Sequence, residues 1–229
     1  LPEVTGWISE ICDRRLGKGV VRAKDTPNFI ANRIGTFSSA LVFRLLERDG
    51  LSIEEVDALT GPAIGNPKSA TFRTLDLVGL DVAAHVVGNL YENLPQDPRR
   101  EWFRLPGFVH QMIERGWLGD KSGQGFYRRE KKGEILALDW KTLEYREKRK
   151  PQLASLEAAQ NVADMGARIN QILSGKDQAG KFLWRTLSAT SFYAASLIPE
   201  ISDDIVSVDR AMEWGYGWGM GPFRLMDAL

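Results

Sequence analysis

The sequence predicts a mostly α-helical protein, in which two related helical units are separated by a short β-meander. Three observations lead to this prediction. Apolar residues recur at helical spacing along most of the chain, and capping residues mark the ends of several runs. Three short runs between residues 126 and 146 have the composition and turn spacing of β-strands instead. Two distant segments share one residue pattern, which indicates an internal repeat.

The first 24 residues have the pattern of the end of an α/β unit. A helix is expected over residues 4–15, and the β-branched run over residues 20–23 predicts a short strand. Because such a pair lacks the partner strands of a sheet, we expect residues 1–24 to be the tail of an upstream domain. The chain starts at Leu1 and stops at Leu229 within an apolar-periodic run. We expect both ends to be cuts in a longer chain; disordered ends omitted from the sequence are the alternative.

The first helical unit is expected over residues 25–130. Thr26 and Pro27 suit an N-cap and a first helical residue, and Gly50 suits the C-cap of the same helix. Ser52 and Glu55 have the spacing of a capping box, which opens the next helix. Further helices are expected over residues 71–78, 81–93 and 106–115, with loops over residues 94–98 and 116–125.

The β-meander and a linker are expected over residues 131–165, and a second, truncated or degenerate helical unit over residues 166–229. The expected strands are residues 126–129, 134–138 and 143–146, with turns at Lys132-Gly133 and at residues 139–142. The charged residues 146–151 are a candidate linker. Helices resume from Ser155, and the longest of them is expected over residues 182–197.

The internal repeat relates residues 56–76 to residues 208–227. Both segments contain a Val-Asp pair, a glycine-broken middle, a Phe-Arg pair and a closing Asp, with one residue of difference in length. Each follows a long apolar helix and an acidic helix start, which complements the helix dipole. Chance similarity between two amphipathic helices is the alternative.

Composition excludes several classes of protein. Thirty basic and thirty acidic residues give a net charge of zero, so no nucleic-acid partner is expected. No apolar run is long enough to cross a bilayer, and no secretory signal pattern precedes the first helix, so we expect a cytoplasmic protein. Cys12 is the one cysteine, and His85 and His110 are the two histidines, so neither a disulfide framework nor a metal site is expected.

The residues alone leave the functional site open. The sequence has no dinucleotide fingerprint, P-loop, nucleophile elbow or zinc-protease motif. His85 and His110 have the setting of packed core residues. The glycine-rich residues 215–221 fit a tight loop between helices better than a phosphate cradle. Asn32 is mildly unfavourable inside a helix and fits a surface or structural role, while Lys121 is either a solvated loop lysine or a cation for an anionic ligand.

Two motifs resemble those of one enzyme family. Lys24-Asp-Thr-Pro-Asn-Phe-Ile-Ala-Asn-Arg33 resembles the sequence that opens the C-terminal domain of L-3-hydroxyacyl-CoA dehydrogenases, and Gly119-Asp-Lys-Ser-Gly-Gln-Gly-Phe-Tyr127 resembles the one that closes it. The segment between them, including residues 74–81, also fits. The resemblance implies tandem helical units like the C-terminal domain of 6-phosphogluconate dehydrogenase, preceded by a Rossmann domain. Tandem units of this kind resemble those of multifunctional β-oxidation enzymes, in which an enoyl-CoA hydratase is fused to the dehydrogenase.

The resemblance also implies a division of labour. NAD would be bound mainly by the upstream Rossmann domain, which would supply a catalytic His–Glu pair as well. The helical region would close the acyl-CoA cleft and form a homodimer contact, and alone it would be inactive. Asn32 matches the catalytic asparagine of the family, and Lys121 matches a lysine that reaches the NAD site. The sequence departs from the family pattern at two places. Asn28 stands where the family usually has Gly, and asparagine also tolerates a tight turn. Residues 68–72 replace a Met-Gly-Pro-Phe pattern, and this second departure would alter the substrate-side loop.

Two other functions remain open from the sequence. The chain could be a non-catalytic dimerisation or scaffolding module that keeps the helical repeat. It could also belong to a related NAD-dependent dehydrogenase whose hydroxy-acid substrate carries no CoA, because the CoA contacts that the resemblance implies lie mostly upstream.

Overall fold

The mostly helical fold is confirmed by the computed structural model of the chain, which describes residues 1–130 and 133–229. Its α-helices are α1 (Pro2–Glu10), α2 (Ala31–Asp49), α3 (Ile53–Thr60), α4 (Phe72–Val78), α5 (Leu80–Asn93), α6 (Gly107–Glu114), α7 (Ala154–Ala159), α8 (Met165–Leu173), α9 (Gln178–Ser196), α10 (Ile205–Arg210) and α11 (Pro222–Ala228). Its strands are β1 (Tyr127–Arg129), β2 (Ile135–Asp139) and β3 (Glu144–Glu147). Within the described ranges, no helix is both long and apolar enough to cross a membrane.

The N-terminal segment contains the expected helix but not the expected strand. Helix α1 continues into a π-helical turn, Ile11–Arg15. The prediction of a strand over residues 20–23 is wrong, because these residues have no strand beside them with which to pair. No residue of α1 is buried, and Trp7 is 64% exposed. The apolar side of α1 therefore lacks a packing partner among the described residues.

Helix α2 begins later than its sequence predicts. Thr26 and Pro27 do not cap it; the helix starts at Ala31, with Ile30 in the N-cap position. Asn28 and Phe29 have φ angles of 62° and 51°, and this left-handed backbone cannot belong to a right-handed helix. Asn28 stands where the related sequences usually have glycine, and its left-handed backbone is one that glycine adopts freely and asparagine tolerates.

Two 19-residue helices, α2 and α9, run side by side in opposite directions. Near the start of α2, Arg33 donates a 2.7 Å hydrogen bond to the Tyr193 hydroxyl near the end of α9. At the other end of the pair, Arg185 of α9 lies 3.1 Å from the Asp49 carboxylate. Gly50 ends α2 with a φ of 70°, as the sequence predicts, because glycine adopts this left-handed conformation without strain.

The remaining helices and the sheet surround this pair. The core includes Ile34, Phe37, Leu41 and Leu45 on the predicted apolar face of α2, and it continues without a break to α8 and α9. Further members come from both halves of the chain: Ile53, Phe72, Leu90, Met112, Phe126, Ile169, Phe182 and Met212. The two units therefore share one core rather than folding around two separate ones.

The internal repeat has a structural counterpart. The Asp57 carboxylate of α3 accepts hydrogen bonds from the backbone N–H groups of Phe72 (2.7 Å) and Arg73 (3.2 Å) at the start of α4. In the second unit, the Asp209 carboxylate of α10 accepts from the N–H groups of Phe223 (2.9 Å) and Arg224 (3.0 Å) at the start of α11. In both units an aspartate therefore satisfies the N–H groups that helix geometry leaves free.

The β-meander is confirmed, with β2 between β1 and β3 and both pairs antiparallel. Lys132 of the expected first turn lies outside the described residues. The expected linker, residues 146–151, is not free of the first unit. Glu54 of α3, with 1% of its side chain exposed, accepts hydrogen bonds from both terminal nitrogens of Arg146 (2.6 and 2.9 Å) and from the Arg149 N–H. The segment is therefore docked on α3 over residues 146–149.

Candidate functional site

Asn32 lies in the first turn of α2 with an exposed side chain, where the two units meet. Its Oδ1 atom accepts a 3.0 Å hydrogen bond from the hydroxyl of Tyr216, which belongs to the second unit. The sequence alone favoured a surface or structural role for Asn32, and the exposure agrees with a surface position. The side chain is nevertheless held in one orientation by a residue 184 positions further along the chain.

Tyr216 is brought to this place by the glycine-rich loop. A π-helical turn, Ala211–Gly215, follows α10, and Tyr216 comes directly after it. The half-buried phenol of Tyr216 packs against α2. A side chain at Gly35 would put a Cβ 2.2 Å from the Tyr216 ring, so only glycine allows this approach. Burial raises the pKa of Tyr216 above its ordinary value of 10.0, so the phenol remains a protonated donor at neutral pH. Residues 215–221 are therefore an interhelical packing loop, as the sequence predicts.

A cavity of about 130 Å³ opens beside Tyr216 between the two units. Its wall is apolar with scattered hydroxyl groups, and it includes Gly35, Ser39, Val42, Leu187 and Trp218. The segment that departs from the family pattern, residues 68–72, contributes Ala70 and Thr71. Ala70 has a φ of 50°, so the backbone of this segment differs from that of the related Gly221, with a φ of −69°. The segment that departs from the family pattern therefore forms part of the cavity wall.

A buried polar network lies directly behind Asn32. Arg33, with 1% of its side chain exposed, binds the Asp97 carboxylate at 2.6 Å and the Tyr193 hydroxyl at 2.7 Å. Tyr193 in turn donates to Asp97 at 2.7 Å, and Glu200 lies 3.3 Å from the guanidinium. The network joins the start of α2 to α9 and fixes the turn that carries Asn32.

Lys121 lies in a 3₁₀ turn, Asp120–Ser122. Its ammonium forms an ion pair with Asp81 near the start of α5, and both side chains are nearly half exposed. The hydrogen bond from Lys121 lowers the pKa of Asp81. No hydrogen bond or ion pair between described residues connects Lys121 with Asn32. Among the described residues, the two predicted site residues therefore have different bonding partners, Asp81 for Lys121 and Tyr216 for Asn32.

The sequence predicts the wrong environment for two histidines and does not single out two features of the site. His85 and His110 are exposed rather than packed in the core, because both lie on the outer sides of their helices. Tyr216 and the Arg33 network were not singled out. A glycine inside the apolar face of α2, at position 35, was the available signal that a large side chain packs against that helix.

Comparison with known proteins shows that this chain is similar to 3-hydroxyacyl-CoA dehydrogenases. Residues 29–129 match the family model described as "3-hydroxyacyl-CoA dehydrogenase, C-terminal domain". The whole chain is 47% identical, over 228 residues, to a "Probable 3-hydroxyacyl-CoA dehydrogenase" of Bacillus subtilis, of which it covers 29%. It is 29% identical over 225 residues, or 98% of the chain, to a "Putative fatty acid oxidation complex trifunctional enzyme" of Rickettsia prowazekii, covering 30% of it.

A solved structure supports the fold over nearly the full length. The crystal structure of 3-hydroxybutyryl-CoA dehydrogenase from Escherichia coli K12 aligns with 95% of this chain and 56% of its own, with a TM-score of 0.63 and 21% identity. Residues 29–129 match the C-terminal domain of 3-hydroxyacyl-CoA dehydrogenases, and the chain as a whole is similar to a protein of that name. It spans 29–37% of the length of the first curated relatives that it matches.

Proposed function

We propose that this chain is the substrate-binding and dimerisation part of an NAD-dependent 3-hydroxyacyl-CoA dehydrogenase, which interconverts 3-hydroxyacyl-CoA and 3-oxoacyl-CoA in fatty-acid β-oxidation. The observation that carries the proposal is the exposed Asn32 amide in the first turn of α2, inside the segment that matches the family. The end-to-end likeness to the Bacillus subtilis protein supports it.

Asn32 would act on the oxygen at C3 of the substrate. Its Oδ1 is occupied by Tyr216, whereas its Nδ2 makes no hydrogen bond to another described residue and can donate outward. A donor fixed beside an oxygen that gains negative charge stabilises the transition state more than the ground state. The proton transfer itself would need the His–Glu pair that the family resemblance implies for the Rossmann domain.

NAD would supply the hydride chemistry when bound. The residues described here include no nucleotide-binding sheet, so the fit of this chain to NAD is limited to a peripheral contact. Lys121 suits such a contact, because an exposed ion pair opens at little cost and its ammonium can turn to a phosphate. The bare apolar side of α1, with Trp7 and Ile8 exposed, suits packing against the proposed Rossmann domain.

The proposal also covers the fused domain, the oligomeric state and the cellular location of the protein. The name of the Rickettsia prowazekii relative supports a multifunctional protein, and the proposal includes a fused enoyl-CoA hydratase domain in it. Homodimerisation through the helical region and a cytoplasmic location complete the proposal. The cavity beside Tyr216, between the two units, is where an acyl chain would enter, and its wall would influence the preferred chain length.

The test is an assay of NADH oxidation on the full-length protein that joins this chain to its NAD-binding domain. Acetoacetyl-CoA should be reduced, and free acetoacetate should not. Turnover of the free acid alone would favour a dehydrogenase without a CoA substrate. No turnover of either by a folded protein that binds NADH would contradict the proposal and favour a scaffolding module.

A further inference from the structure

We infer that the hydroxyl of Tyr216 positions the Asn32 amide, so that the second helical unit completes the catalytic site of the first. The inference rests on the proposed function and extends it to a residue for which no role is assigned. It follows from the 3.0 Å hydrogen bond from the Tyr216 hydroxyl to Asn32 Oδ1, across the boundary between the units.

The direction of this hydrogen bond decides which end of the amide faces the substrate. The two ends of an asparagine side chain have nearly the same size, so packing alone does not distinguish them. The phenol donates to Oδ1, which places the Nδ2 donor on the free side. The same bond withdraws electron density from the amide oxygen and strengthens the N–H groups as donors. Tyr216 would thus act through Asn32 and would not contact the substrate itself.

The phenol is held in place before any substrate arrives. The Tyr216 and Trp218 rings form a T-shaped pair, with ring centres 6.2 Å apart and an angle of 84° between their planes. The loop that carries both aromatic residues is closed by a 3.0 Å hydrogen bond from the Gly221 N–H to Glu213. Side chains that are ordered during folding need no reorganisation at the moment of reaction.

Gly35 is the matching feature on the first unit. Glycine inside a helix destabilises it by about 1 kcal/mol relative to alanine, so its presence in α2 needs a packing reason. A Cβ at this position would lie 2.2 Å from Cε1 and 2.7 Å from the hydroxyl of Tyr216. Because these atoms are at the far end of the side chain, an alanine would displace the phenol from Asn32 rather than break α2.

The experiment is a double-mutant cycle in the full-length enzyme with acetoacetyl-CoA and NADH, using Tyr216→Phe, Asn32→Ala and the double variant. Tyr216→Phe should lower kcat about 5-fold, as expected for the loss of one neutral hydrogen bond, and leave KM for acetoacetyl-CoA unchanged. In the Asn32→Ala background it should have no further effect. Tyr145→Phe is the matched control, because that hydroxyl donates to the Gly125 carbonyl, away from Asn32.

Three results would overturn the inference: additive effects in the cycle, a wild-type kcat for Tyr216→Phe, or an equal loss in the Tyr145→Phe control. If Tyr216→Phe fails to fold, Gly35→Ala replaces it, with the same expected loss of kcat and an undiminished melting temperature. A wild-type enzyme without turnover would contradict the proposed function itself. A wild-type enzyme with turnover and an unaffected Tyr216→Phe variant would contradict the positioning role alone.

Discussion

The guanidinium of Arg33 and the carboxylate of Asp97 form a 2.6 Å ion pair in which each side chain is only 1% exposed. The pair lies between α2 and the loop after α5, and Tyr193 of α9 bonds to both partners. The residue next to the proposed catalytic Asn32 is therefore one of the most completely buried charges among the described residues. The network ties the start of α2 to α9 and to the loop after α5.

Removing one partner of this pair should be costly. Asp97→Ala leaves the Arg33 charge buried without its closest counter-ion, and we expect it to lower the free energy of unfolding by about 3–5 kcal/mol, measured by urea denaturation. Glu10→Ala is the control, because it breaks the exposed pair between Glu10 and Arg14 and should change stability by less than about 0.5 kcal/mol. Equal effects of the two substitutions would contradict the role of burial.

The repeated aspartates should stabilise the two units in the same way. Asp57→Ala removes the acceptor for the N–H groups at the start of α4, and Asp209→Ala does the same for α11. We expect each to lower the free energy of unfolding by about 1–3 kcal/mol, with the larger effect at Asp57, which also accepts from the Tyr127 hydroxyl at 2.9 Å. Asp227→Ala, at an exposed position, is the control. A neutral Asp209→Ala would contradict the structural repeat.

A buried carboxylate should make stability fall with rising pH. Burial raises the pKa of Asp76 from its ordinary 3.8 to about 7, despite hydrogen bonds from the N–H groups of Phe126 and Tyr127. Between these values the folded chain holds a proton that the unfolded chain has released. The stabilising contribution is therefore complete below pH about 4 and is lost as the pH rises through 7.

The comparison of wild type with Asp76→Asn isolates this group. Between pH 5 and 7, the wild-type free energy of unfolding should fall more steeply than that of Asp76→Asn, by at most about 1.4 kcal/mol per pH unit. Denaturant titrations at pH 5, 6 and 7 measure both slopes. Parallel slopes would show that Asp76 is ionised throughout this range in the folded chain.

The proposed contact of Lys121 with NAD predicts a change in cofactor affinity. Lys121→Ala in the full-length enzyme should raise KM for NADH several-fold and leave kcat nearly unchanged, because the lysine would bind the cofactor equally in ground and transition states. Asp81→Asn should not weaken NADH binding, since it releases Lys121 from its ion pair. Lys141→Ala, in the turn between β2 and β3, is the control. An unchanged KM for NADH in Lys121→Ala would contradict the proposed contact between Lys121 and the cofactor.

The features that sequence could predict are those fixed by local chemistry. The capping box at Ser52 and Glu55, the C-cap at Gly50 and the three strands depend on short segments, and the structure confirms them. The late start of α2 was missed, because two left-handed residues follow a good capping pattern, and sequence does not show a backbone of this kind at Phe29. The expected strand over residues 20–23 failed because pairing depends on neighbours that a local pattern does not include.

The sequence predicts two residues of the candidate site, Asn32 and Lys121, but not Tyr216. Asn32 and Lys121 came from matching motifs, and their assigned roles remain predictions. Tyr216 could not be found this way, because its contact with Asn32 joins residues 184 positions apart. The repeat indicated that the second unit resembles the first, but not that its loop would reach the first turn of α2. The hydrogen bond from Tyr216 of the second unit to Asn32 of the first depends on how the two units pack, which a local sequence pattern does not specify.

The most direct test of the central claim compares wild type with Asn32→Ala in the full-length protein, with kcat and kcat/KM measured for acetoacetyl-CoA at saturating NADH. The account predicts an active wild type and a variant that folds and binds NADH normally but loses about 10²-fold or more in kcat, because the donor beside the reacting oxygen is gone. A variant with wild-type kcat would contradict the assignment of Asn32 to the transition state.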